Sequence, residues 1–90
     1  MYIKMNTEEL FDIAISHYNA IDFENVEVKH KNIIIGGKYI AEVNNHDFIP
    51  TPCIEIKLDL QSSNTNRIIG HYSLYITNNK EFLDEFLVLI

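Results

Sequence analysis

The chain has one cysteine, no tryptophan, two prolines and three glycines in 90 residues. The lone Cys53 cannot close an internal disulfide, and no basic segment followed by an apolar run opens the chain, so secretion is not expected and the expected location is a reducing cytoplasm. Scarce Pro and Gly beside 47% hydrophobic residues leave too little breaker content for disorder, and enough apolar mass for a single domain spanning 1–90. Long hydrophobic runs are missing too. The longest, residues 86–90, falls far short of the roughly 20 residues a bilayer span needs.

Basic residues are missing from both ends. Residues 5–28 hold Glu8, Glu9, Asp12, Asp22, Glu24 and Glu27 without a Lys or Arg, and Glu81, Asp84 and Glu85 have no base after Lys80. The middle, 29–80, carries four acids against six bases, so the net charge of -6 is made at the ends. A one-signed surface steers association with an oppositely charged one. The same acids oppose direct binding of nucleic acid, which calls for a basic stripe.

The first element is a helix. Asn6 is placed to cap it, Glu9 stands where a capping box needs a carboxylate, and Met5 faces Leu10 as a hydrophobic staple. Leu10, Ile13, Ala14, His17, Tyr18 and Ile21 recur at helical spacing, with Glu8, Glu9, Asp12, Ser16 and Asn19 opposite them, which predicts about four amphipathic turns. From Val26 to His30 the period changes to two and predicts a strand. Ile33-Ile34-Ile35, Gly36-Gly37 and then 38–43 read as a hairpin with glycines in the turn, placing Tyr39, Ala41 and Val43 on one side. Residues 44–52 (NNHDFIPTP) form a loop. The clearest strand is 53–60, where Ile54, Ile56, Leu58 and Leu60 alternate with Cys53, Glu55, Lys57 and Asp59. Residues 67–77 resume extended structure, with Ile68, Tyr72, Leu74 and Ile76 on one side and Ile69, His71 and Tyr75 on the other. The end reads two ways: Asn78-Asn79 turns into a strand over 82–90, the preferred reading, or Asn78 caps a helix.

No motif for catalysis, a cofactor or a metal stands out. Cys53 opens an alternating strand, where a small hydrophobe is ordinary, and a cysteine nucleophile needs an oriented His that no local signature supplies. His46 and Asp47 share a loop, yet neither they nor His30 and His71 form a paired-ligand motif. His17 falls on the apolar helix face, as a core-edge histidine does. Gly36-Gly37-Lys38 superficially resembles a phosphate loop, but Asn32 and Tyr39 stand where that motif needs Gly and Ser or Thr.

The predicted fold is α+β: an N-terminal amphipathic helix packed on an antiparallel meander sheet of five to six strands. The predicted role is non-enzymatic, an inhibitor using Glu8, Glu9, Asp12, Glu81, Asp84 and Glu85 to bind a basic, nuclease-like protein surface, with no cofactor and no membrane. In size, in charge and in its abundance of Ile, Asn and Lys beside three Ala and one Arg, which suggests AT-rich coding, the chain resembles the general run of bacterial toxin-immunity and phage anti-CRISPR proteins, a resemblance of class that carries over no functional residue. The alternative is a homo-oligomeric structural or phage accessory module joined through a strand edge or an apolar face. A small Cys or His enzyme ranks last.

Overall fold

The computed structural model describes residues 6–21 and 33–90, which form one helix and four strands in the order α1 (Thr7–Asn19), β1 (Ile33–Val43), β2 (Cys53–Ser62), β3 (Ile68–Ile76) and β4 (Phe82–Leu89). The sheet is antiparallel throughout, in the order β1-β2-β3-β4. The α+β class and the meander therefore stand. Among the described residues, no helix is long and apolar enough to cross a membrane.

Helix α1 starts where its cap predicts. Asn6 Oδ1 accepts from the backbone N–H of Glu8 (2.9 Å) and Glu9 (3.4 Å), satisfying two of the orphan donors of the first turn. Leu10, Ala14 and Tyr18 form its buried stripe and pack on Ile54, Ile56, Leu58 and Leu60 of β2 and Tyr72, Leu74 and Ile76 of β3. Central strands β2 and β3 thus supply the floor of the core. Ile35 and Ile40 of β1, and Leu87 and Leu89 of β4, close its sides. The staple partner Met5 and the strand expected over 26–30 lie outside the described residues.

Among the described residues there are four strands, where five to six were expected for the chain. Residues 33–43 are one strand, because Gly36 and Gly37 form an irregularity in the β1-β2 register rather than a turn. Neither glycine has a positive φ, the conformation that a tight hairpin turn demands. They serve close approach instead. A side chain at Gly37 would begin 2.7 Å from the Asp59 carboxylate, and one at Gly36 would collide with the Gln61 amide. A second irregularity falls between Leu60 and Gln61, which pair with Gly70 and Ile68. The extra residue, Ile69, packs on the helix-side core while Ile68 is exposed, so the sides predicted for these two are exchanged. The C-terminal segment is the strand, not the helix: β4 pairs with β3 from Phe82 to Leu89. Its turn closes through Lys80 N–H to Thr77 O and Thr77 N–H to Glu81 O, with Lys80 at φ 66.

Helix α1 covers one side of the sheet. Among the described residues, the opposite side is roofed at one end alone, where the 44–52 loop drops Ile49 onto Cys53 and Tyr75, flanked by Val43 and Leu83. His46 holds that loop, its Nδ1 accepting from the N–H groups of Phe48 (3.1 Å) and Ile49 (3.2 Å). No other described residues cover the rest of this side, the open face of the sheet.

Candidate functional site

The acidic residues singled out from the sequence converge only in part. Glu8, Glu9 and Asp12 are exposed on α1, and Glu8 and Asp12 stand one helical turn apart on the same side. Lys80, in the β3-β4 turn, reaches across to Glu9, with Nζ 2.6 Å from Oε1. That contact brings the start of the helix beside Glu81, so two acidic segments 71 residues apart in the chain meet at one corner of the molecule. Of these carboxylates, Glu9 is the one that Lys80 engages. Both members of the pair are well exposed, and an exposed ion pair of this kind contributes about 0–1 kcal/mol to folding. Glu8, Asp12 and Glu81 make no ion pair among the described residues.

Asp84 and Glu85 separate, because successive residues of a strand point to opposite faces. Asp84 lies opposite Tyr75 on the open face, and its Oδ1 accepts the N–H of Glu85 at 2.8 Å. Glu85 lies opposite Leu74 on the helix side, where its charge and, more strongly, burial push the Tyr72 phenol pKa upward. The corner therefore consists of Glu8, Glu9, Asp12 and Glu81.

The open face carries a polar network that sequence reading missed. Asp59 is 7% exposed and both its oxygens are engaged: Tyr39 Oη donates to Oδ2 at 3.0 Å, and His71 Nδ1 lies 2.9 Å from Oδ1. In the neutral ring, a proton on Nδ1 serves Asp59 and leaves Nε2 as an acceptor. The Tyr39 phenol is held protonated, its pKa raised first by this hydrogen bond and then by the Asp59 charge. Beside this network, Tyr75 Oη donates to Glu55, and the Tyr75 ring stacks edge-on with His46 and Phe86. Residues 39, 59 and 71 are joined only by strand register, so no local spacing announces them.

Such an arrangement orients an imidazole, as a carboxylate does in acid-base catalysis; among the described residues, the hydrogen bonds of this network join it to no Ser or Cys side chain. Cys53 is 1% exposed and belongs to the Ile49 and Tyr75 cluster. Burial, followed by the charge of Glu55, raises its thiol pKa, the opposite of what a thiolate nucleophile requires. Among the described residues, no three His, Cys, Asp or Glu side chains converge as metal ligands. A shallow hollow of ≈ 360 Å³ lined by Arg67, Thr65 and Ile90 opens at the opposite end of β2 from Cys53 and includes neither His71 nor Asp59.

No family model matches the chain. Searches of curated proteins and of solved structures return no significant match either.

Proposed function

We propose that this chain is a non-enzymatic binding protein, an inhibitor whose acidic corner of Glu8, Glu9, Asp12 and Glu81 docks on a basic surface of another protein, of the kind that nucleases present. The observation that carries the reading is the Lys80–Glu9 contact, which joins two acidic segments into one surface while using a single base. Exposed carboxylates on a capped helix and a closed turn are held in place before any partner arrives, so little ordering entropy opposes docking. Their shared sign accelerates encounter with a cationic surface. Asp84 and Glu85, split between the two faces, serve as flanking charge at most.

The polar network on the open face fits the same reading as a rigid element of the sheet. Its carboxylate is satisfied by Tyr39 and His71, which is how a buried charge is accommodated. The test is affinity capture from a bacterial lysate with the wild-type chain and with a Glu8→Lys, Asp12→Lys variant as baits. A basic protein retained by the first and lost by the second supports the proposal. An unchanged set of captured proteins, with the variant correctly folded, contradicts it.

A further inference from the structure

We infer that β4 is a self-pairing edge, and that two copies of this chain join antiparallel about a two-fold axis at Val88. The Ile90 N–H donates to Ile69 O at 2.8 Å. From Asp84 onward along β4, past the register shift beside Ile76, even-numbered residues therefore turn their backbone groups toward β3, and odd-numbered ones, Glu85, Leu87 and Leu89, turn theirs outward. Among the described residues, no strand meets them there. The outward N–H of Glu85 is already taken by the Asp84 carboxylate. The open stretch of the edge thus begins after Glu85 and coincides with Phe86-Leu87-Val88-Leu89-Ile90, five residues without a charge, proline or glycine.

Edges of this description are templates for another strand. Natural sheets protect theirs with lysines, prolines or bulges. Among the described residues the opposite edge is β1, which has such protection in Lys38 and the Gly36-Gly37 irregularity, and the second half of β4 has none. Phe86, Val88 and Ile90 are 44%, 57% and 85% exposed on the open face, so pairing would cover side chains as well as the backbone.

A second copy fits this edge because the uncharged segment is complementary to itself, and the flanking carboxylates set the register. With Val88 opposite its own symmetry mate, Leu87 faces Leu89 and Phe86 faces Ile90, every pair is apolar, and Leu87 and Leu89 exchange about four main-chain hydrogen bonds across the axis. Asp84 keeps its bond to the Glu85 N–H outside the paired segment. The two Glu85 side chains then stand six residues apart along the ladder, about 20 Å, well beyond the ~8 Å over which charges are felt at physiological salt. Shifting the axis to Glu85 or Phe86 brings carboxylates of the two copies toward each other and opens the Asp84–Glu85 contact. The acidic corners, which precede β4, end up at opposite ends of the joined sheet, so the net charge of -6 per chain does not act across the axis.

The test combines mass measurement with cysteine cross-linking. In sedimentation or light scattering, the wild-type chain should pass from its monomer mass of 10.5 kDa toward twice that value, about 21 kDa, as concentration rises through the micromolar range. Val88→Lys, which sets two ammonium groups against each other at an exposed site, should weaken dimerisation roughly a hundredfold with an unchanged circular dichroism spectrum. Under oxidation Val88→Cys should form a disulfide-linked dimer, because facing non-hydrogen-bonded residues have Cα atoms about 4.5 Å apart, within disulfide reach. Phe86→Cys should not, since its mate lies about four residues along the ladder, ~14 Å away. Cys53, 1% exposed, does not compete. A monomer at every concentration, a Val88→Lys dimer as tight as wild type, or cross-linking of Phe86→Cys as ready as that of Val88→Cys overturns the inference.

Discussion

Replacing Ile56 with alanine tests whether the core lies where the fold places it. Ile56 is fully buried on the helix side of β2, opposite Ile40 of β1 and Leu74 of β3 and within the cluster built by Leu10, Ala14 and Tyr18. The substitution removes three carbons, about 2.4 kcal/mol at ~0.8 kcal/mol each. A central strand between two paired neighbours and beneath a helix collapses poorly around a void, so a cavity term adds to this, and the total should be about 3–4 kcal/mol. A 90-residue domain has roughly 5–14 kcal/mol in all. The loss is therefore a large fraction of the whole. With a urea slope of about 1.5 kcal/mol per molar, the midpoint should fall by roughly 2 M. The chain contains no tryptophan, so far-UV circular dichroism is the appropriate probe. Ile34→Ala is the internal control: 43% exposed on the open face, it should cost well under ~1 kcal/mol. An Ile56→Ala midpoint within about 0.3 M of wild type, or equal to that of Ile34→Ala, would refute the placement of the core.

Asp59→Ala should cost about 1–3 kcal/mol, because it removes two hydrogen bonds at a buried carboxylate, while Asp59→Asn, which keeps an acceptor for Tyr39, should cost less; equal losses in chemical denaturation would count against the network. Stability should also fall at alkaline pH. Tyr18, Tyr72 and Tyr75 have phenol pKa values raised above the usual 10.0, chiefly by burial, so their contribution is complete below pH 10 and declines as pH rises past the unfolded-state value, where the unfolded chain ionises first. Ultraviolet titration should show these phenols ionising together with loss of dichroism, and free ionisation near pH 10 in an intact fold would contradict their burial.

The parts of the fold that were legible in the sequence are those where one period runs uninterrupted. Asn6 and the Leu10, Ala14 and Tyr18 spacing announced α1, and the alternation through Ile54, Ile56, Leu58 and Leu60 announced β2 and its buried face. The parts that were not are places where a single residue breaks the period. Gly36-Gly37 carries the composition of a turn and the conformation of a strand, since its smallness accommodates Asp59 and Gln61 rather than a positive φ. Ile69 adds one residue to β3 and exchanges sides with Ile68, which no alternation pattern can signal. The acidic corner was half legible. Its charges are plain in the chain, but the Lys80–Glu9 contact that assembles it, and the strand pleat that parts Asp84 from Glu85, depend on tertiary placement.

The measurement closest to the central claim is the rate of association with the captured basic partner as a function of salt, for the wild-type chain and for the Glu8→Lys, Asp12→Lys variant. Neither side chain supports the fold through an ion pair among the described residues, so both proteins should unfold at nearly the same denaturant concentration. With the acidic corner as the docking surface, the wild-type rate should fall steeply as salt rises, and the variant rate should be slower at low salt and nearly flat, the two converging at high salt. Equal rates at low salt, with both proteins folded, would show that the acidic corner serves solubility alone and would contradict the proposed function.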